Sequence, residues 1–274
     1  MKRKKLGLAL GSGAARGFAH LGVIEALEEE GIPIDFVSGC SIGSIIGALY
    51  CCGMGTGEIL KLAEEVDFWE WIDISIPKNG FILGKKIEQL MKKYTEGRTF
   101  EELRKPFAIV ATDLESGRQV IFKNGYLYKA IRASIAIPGI FVPVEEEGRT
   151  LADGGLIDPV PVDLVKSMGA DVVIGVNLGS GISEKEINSI YDVIIRSIDI
   201  MQNEIIRLRG IEADILINPD LRGINPVTFN QARECYQIGK TAAREKIGQI
   251  RSIMSKEDRP DWLHNLGRRK RHDG

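Results

Sequence analysis

The stretch Phe36-Val37-Ser38-Gly39-Cys40-Ser41-Ile42-Gly43-Ser44-Ile45-Ile46-Gly47-Ala48 changes its hydrophobic period partway along. Residues 34–37, just after Pro33, are short, apolar and rich in β-branching, which predicts a buried strand. From Ile42 onward the apolar residues Ile42, Ile45, Ile46 and Leu49 recur at helical spacing. Between the two patterns lies Gly39-x-Ser41-x-Gly43. A serine on so sharp a strand-to-helix turn is held in a strained backbone, with its hydroxyl at the edge of the sheet. The flanking glycines are needed because a Cβ on either side would press on the crossing strand and helix. The helix end beneath the serine supplies unpaired N–H groups and positive potential, which favour a developing anion. With 31 glycines in 274 residues the pentapeptide arises easily by chance, and the competing reading is a tight glycine-rich crossover. The strand–turn–helix context makes Ser41 the candidate nucleophile.

Upstream, residues 6–10 read as a first buried strand that runs into Gly11-Ser12-Gly13-Ala14-Ala15-Arg16-Gly17. An amphipathic helix follows, with Leu21, Ile24, Ala26 and Leu27 on its inner face, and Glu28-Glu29-Glu30-Gly31 ends it. Strand, glycine loop, helix and second strand make a β-α-β unit, which predicts a parallel sheet. The loop invites a dinucleotide reading, but that fingerprint wants G-x-G-x-x-G and an acid late in the second strand. Position 16 is Arg, and Asp35 precedes its strand. The same geometry serves an oxyanion hole, in which backbone N–H groups face a tetrahedral intermediate. Neighbouring strand ends would set this loop beside Ser41.

Downstream, helices are expected over residues 56–66, 85–94, 127–135, 187–209 and 229–254. Strands are expected over 106–111, 118–122, 150–152, 171–178 and 213–217, with 138–144 extended and turns at 112–117 and 145–148. The most aromatic stretch is 68–74, followed by a loop over 77–83. Phe68, Trp69, Trp71 and Phe81 either fill a side core or border the entrance for an apolar substrate. With no internal repeat and no dividing linker, residues 1–274 are expected to form one α/β unit. It would comprise a motif core over 6–178, a helical part over 187–254 and a polar basic tail over 255–274.

A hydrophobic fraction of 44% with 27% charged residues is that of a soluble globular chain. The balance of 36 basic to 38 acidic residues gives no reason to expect nucleic acid. The ends are basic, Lys2-Arg3-Lys4-Lys5 and Arg268-Arg269-Lys270-Arg271, as solvated tails or as weak contacts to anionic lipid. Cys40, Cys51, Cys52 and Cys235 have neither a C-x-x-C pair nor a disulfide-framework spacing, which fits reduced thiols. The first apolar run breaks at Gly11 and meets Arg16, so a secretory leader is not expected, and no run approaches a membrane span. A cytoplasmic protein, with peripheral contact at the inner membrane face, is the expectation.

Serine is a poor nucleophile until something takes its proton. Of the three histidines, His20 lies one turn past the glycine loop, where it is a conceivable base although capping or packing is the readier explanation, while His264 and His272 sit in the polar tail. Carboxylates remain. Asp153 closes a strand and is followed by Gly154-Gly155, which lets the backbone turn steeply where α/β sheets place functional groups. Asp113 and Asp158 are rivals, each explicable as a turn residue. No group of His, Cys or carboxylates has metal-ligand spacing, and no cofactor is expected.

Taken together, the glycine loop with Arg16-Gly17-x-Ala19-His20-x-Gly22-Val23, Gly39-x-Ser41-x-Gly43, Ala133-Ser134-x-Ala136-x-Pro138-x-x-Phe141-x-Pro143-Val144, and Asp153-Gly154-Gly155 resemble the patatin-like phospholipase family. The match runs in order over roughly residues 6–178 and is most similar to small bacterial members related to the catalytic domain of neuropathy target esterase. The resemblance implies a three-layer α/β/α fold with a mostly parallel central sheet. It also implies a Ser-Asp dyad, carried onto Ser41 and Asp153, and an oxyanion loop, carried onto Gly13 and Ala14. The N–H of Ile42 would complete the hole. Acyl-ester hydrolysis of phospholipid, lysophospholipid or neutral lipid, without metal, is then the expected activity. A regulatory or adaptor protein of the same fold with little turnover is the alternative. The family's loop usually reads G-G-G-x-[RK]-G; here Ser12 and Ala14 replace two glycines, and a left-handed Ala14 would cost about 1 kcal/mol.

Overall fold

The computed structural model describes residues 3–65, 73, 80–179, 186–226 and 229–255. Along the chain come β1 (Leu6–Leu10), α1 (Ala19–Glu29), β2 (Phe36–Cys40), α2 (Ile42–Cys51), α3 (Thr56–Glu65), β3 (Gly80–Ile82) and α4 (Lys85–Tyr94). They are followed by β4 (Phe107–Asp113), β5 (Arg118–Phe122), α5 (Leu127–Ser134), β6 (Gly139–Phe141), β7 (Val144–Glu146) and β8 (Arg149–Asp153). The last elements are α6 (Val162–Ser167), β9 (Val172–Val176), α7 (Ile190–Arg209), β10 (Ile215–Ile217), α8 (Ala232–Arg244) and α9 (Ile247–Ser255).

The main sheet has the order β10-β9-β1-β2-β4-β8-β7. It is parallel from β10 to β4 and antiparallel from β4 onward, with β5 also pairing antiparallel to β4. The inner strands are apolar on both faces because helices cover both. In β1, Leu6, Leu8 and Leu10 join the large core beneath α1, α2 and α8, while Ala9 points the other way, toward Val162 and Val165 at α6. The result is three layers, helix on sheet on helix.

Register places the site. β4 pairs with β5 along Ile109–Asp113, so its opposite edge is shared by β2 and then β8. β2 ends with Cys40 opposite Val110, and β8, running the other way, ends with Asp153 opposite Ala111. Two strand ends therefore meet head to head on one edge of β4, and the residues that leave them are Ser41 and Asp153.

Some boundaries differ from the sequence reading. Residues 34–37 start the second strand too early; it spans Phe36–Cys40 and delivers Ser41 directly into the turn. The expected loop over 77–83 contains β3, which pairs in parallel with β6, a contact between distant segments that no local pattern announces. Residues 145 and 146 belong to β7 rather than to a turn. The expected helix over 229–254 bends after Arg244, and the bend keeps Ile247 and Ile250 in the same core as Ala243. No helix among the described residues is long and apolar enough to cross a membrane.

Candidate active site

Ser41 has φ 52° and ψ −123°, a conformation sparsely populated by residues with a Cβ. Its cost, on the order of 1–3 kcal/mol, is borne by the packing on either side. A Cβ at Gly43 would collide with the carbonyl of Leu10, and one at Gly39 with that of Gly43, so β1, β2 and α2 approach as closely as backbone allows. Gly17 is similarly crowded by the Ile42 side chain, Gly11 by the Val176 carbonyl and Gly154 by the Val110 carbonyl.

The Ser41 hydroxyl donates to Asp153 Oδ2 at 2.5 Å, and both residues are buried. The other carboxylate oxygen, Oδ1, accepts the Gly155 N–H at 2.8 Å. Burial raises the Asp153 pKa from its ordinary 3.8 to about 6, against the opposing pull of the Ser41 and Gly155 hydrogen bonds. Two residues at the end of α5 and just beyond it fix the pair. Ser134 Oγ accepts the Ser41 N–H at 2.9 Å, and the Ala136 carbonyl accepts the Asp153 N–H at 3.0 Å. Thr112 Oγ1 donates to the Asp153 carbonyl.

The glycine loop forms one wall. Gly13 and Ala14 line the cleft with Ser41 and Asp153, and their N–H groups carry no hydrogen bond to a described residue. Ala14 does adopt the left-handed conformation, with φ 50°. The N–H of Ile42, first in α2, is likewise without a partner among the described residues. Arg16, buried, donates to the Gly13 carbonyl through Nε and forms an ion pair with Asp199 at 2.6 Å. Ser12 Oγ donates to Gln202 Oε1 at 2.7 Å.

Asp199 and Gln202 lie on α7, which forms the opposite wall with Ile195 and Ile198; Ile137 and Pro138 close a side. The cleft they line is partly open and offers about 20 Å³, room for about one water. Ser134, Thr112, Asp199 and Gln202 were not read as site residues. The detectable signal was weak: two polar residues recurring at helical spacing within the isoleucine-rich 190–206.

The rival bases are engaged elsewhere. His20 is buried and its Nε2–H donates to the Gly11 carbonyl at 2.8 Å; burial lowers its pKa to about 4, so the ring is neutral. Asp113 caps its own turn, taking the Ser116 hydroxyl and the Glu115 N–H. Asp158 accepts from Gln119. His264 and His272 lie outside the described residues, as do Phe68, Trp69 and Trp71 of the aromatic stretch. Phe81 is described and does not line the cleft; it sits in β3, with its ring against Tyr191 of α7. Burial raises the Cys40 thiol pKa well above its ordinary range, so Cys40, although next to Ser41, is held as the unreactive thiol.

Comparison with known proteins bears on the family and the fold. Residues 8–166 match the family model described as patatin-like phospholipase. An uncharacterised NTE-family protein of Mycobacterium tuberculosis is 41% identical over 177 residues, covering 64% of this chain and 49% of that protein. A lysophospholipase, nte1, of Aspergillus fumigatus is 30% identical, covering 91% of this chain and 18% of its own length. The chain thus spans half or less of these relatives. Among solved structures, VipD of Legionella pneumophila superposes with a TM-score of 0.65 at 14% identity, over 91% of this chain and 67% of its own. The type III effector ExoU superposes with a TM-score of 0.53 at 17% identity, over 90% of this chain and 53% of its own. With the family match covering more than half of its length, the chain belongs to the patatin-like phospholipase family.

Proposed function

We propose that the protein is a serine acyl-ester hydrolase acting on lysophospholipid or related lipid esters through a Ser41–Asp153 dyad. The observation that carries the reading is the 2.5 Å hydrogen bond from a strained, buried serine to a carboxylate with no histidine between them. Ser41 Oγ attacks the ester carbonyl carbon as its proton passes to Asp153 Oδ2. The carbonyl oxygen becomes an oxyanion, received by the N–H groups of Gly13, Ala14 and Ile42. As the tetrahedral intermediate collapses, Asp153 returns the proton to the departing alcohol oxygen, leaving Ser41 acylated. Water, deprotonated by the same carboxylate, then attacks the acyl carbon and releases the fatty acid. Atoms balance as ester plus water to acid plus alcohol.

His20, neutral and committed to the Gly11 carbonyl, serves the loop rather than the proton. The substrate class rests on the family and on the lysophospholipase relative. The test is hydrolysis of lysophosphatidylcholine by purified variants. Ser41→Ala and Asp153→Asn should each lose at least about a thousandfold in rate while staying folded, and His20→Ala should retain measurable turnover. A folded His20→Ala as inactive as Ser41→Ala would refute the dyad.

A further inference from the structure

Two side chains of α7 reach the cleft with hydrogen-bonding capacity to spare. Asp199 and Gln202 stand three residues apart, so they project from one side of the helix, and both line the cleft with Ser41 and Asp153. Asp199 is buried and takes the Arg16 guanidinium on Oδ1, while its Oδ2, also buried, has no hydrogen-bond partner among the described residues. Gln202 gives Oε1 to the Ser12 hydroxyl, and its Nε2 has no partner among the described residues. A buried polar atom left unpaired costs about 1–3 kcal/mol, more on a charged group, and a ligand that brings the missing partner recovers it.

The pair sits beside the group that moves the proton. A Cβ built on Gly155 would lie 2.2 Å from Gln202 Nε2 and 3.1 Å from Asp153 Oδ1, so the amide and the carboxylate flank the same point of backbone. In the proposed reaction Asp153 returns its proton to the departing alcohol oxygen, which puts the alcohol part of the ester at this end. Ile137, Pro138, Ile195 and Ile198 supply apolar lining for the acyl part. One acceptor and one donor on neighbouring positions match a single hydroxyl, which donates once and accepts as well. The cleft offers about 20 Å³, the size of one water, which a hydroxyl matches and a second acyl ester exceeds.

We propose that Asp199 and Gln202 are specificity-determining residues that select acyl esters whose alcohol bears a free hydroxyl on the carbon adjacent to the esterified one. The hydroxyl donates to Asp199 Oδ2 and accepts from Gln202 Nε2 while the ester carbonyl meets Ser41. The adjacent carbon is the nearest position from which a second oxygen can reach α7 as Asp153 meets the first. The assignment deepens the lipid-ester reading and rests on it. A monoacyl glycerol ester with a free neighbouring hydroxyl qualifies, and a fully acylated one does not.

The test compares two soluble esters, 1-hexanoyl-lysophosphatidylcholine and its 2-deoxy counterpart, which lacks only that hydroxyl. The parent should favour the hydroxylated ester at least about tenfold in kcat/KM, because the deoxy ester leaves Asp199 Oδ2 and Gln202 Nε2 unpaired. Asp199→Asn keeps an oxygen for Arg16 and turns the free acceptor into a donor, and it should bring the ratio to within about twofold. Gln202→Met, with the Arg16–Asp199 pair intact, should do the same. Both esters are measured on one preparation, so a merely structural defect lowers both rates alike and leaves the ratio where it was. Should Asp199→Asn fail to fold, Gln202→Met decides. Equal turnover of the two esters by the parent, or a folded variant that keeps the parent's ratio, overturns the assignment while the dyad stands. A parent that hydrolyses neither ester overturns the hydrolase reading itself, and the assignment with it.

Discussion

Burial sets what Asp153 can do as a single residue. A general base must be ionised, so ester hydrolysis should rise with pH through about 6 and level off above it. A rate-against-pH profile centred near the ordinary aspartate value would contradict the buried-base assignment. The same burial has a stability consequence. The folded-state pKa lies above the unfolded one, so the native state binds more protons between about pH 4 and 6, and stability is lost as pH rises through that window. On the order of 2–3 kcal/mol is involved, and Asp153→Asn removes it. The variant should therefore unfold at higher temperature than the parent at pH 8, and the gap should close near pH 4. A gap independent of pH would place the effect elsewhere. Ser41 was legible because the local sequence spells out its strand, turn and helix. Asp153 was reached by setting the histidines aside and by resemblance, for 112 residues separate it from Ser41. Ser134 stood in a quoted motif without a role, since an N–H acceptor is recognised only when its donor is beside it.

Among the elements, α7 is tied to the glycine loop through a buried charge pair. Arg16 and Asp199 are both buried and 2.6 Å apart, so removing one partner strands the other. Asp199→Ala should cost about 3–5 kcal/mol in urea unfolding, whereas Arg16→Met with Asp199→Leu should recover most of it. A single substitution that costs nothing would show that Arg16 finds water or another partner. β1, α1, β2 and α2 were readable because each carries its own period and its own stop. β3 and β6 were not, because each is a short strand stabilised by the other across more than fifty intervening residues. The bend between α8 and α9 was invisible for a related reason. Nothing local breaks the helix, and only the position of the core decides where Ile247 must point.

At the level of the whole molecule, the family match ends at residue 166, yet later elements complete both the core and the cleft. α8 packs against α1 at glycine contacts, where a Cβ at Gly22 would strike the Tyr236 carbonyl and one at Gly239 the Ala19 carbonyl. We propose that residues 1–274 fold as one unit, and a chain ending at Gly210 should lose cooperative thermal unfolding, because α1 would expose the face that α8 covers. A cooperative transition in that truncation would make the C-terminal helices an independent piece. The three-layer plan was legible from the alternation of strands and helices, whereas the wall that α7 gives the cleft was not, because it depends on which side of an isoleucine-rich helix faces inward. The central claim, that Ser41 is the nucleophile and Asp153 its base, is tested most directly by fluorophosphonate labelling followed by peptide mass spectrometry. One phosphonyl group on Ser41, absent from Ser41→Ala and formed much more slowly in Asp153→Asn, is the predicted result. An adduct on a different residue, or an unlabelled Ser41 in a preparation that hydrolyses lysophospholipid, would contradict it.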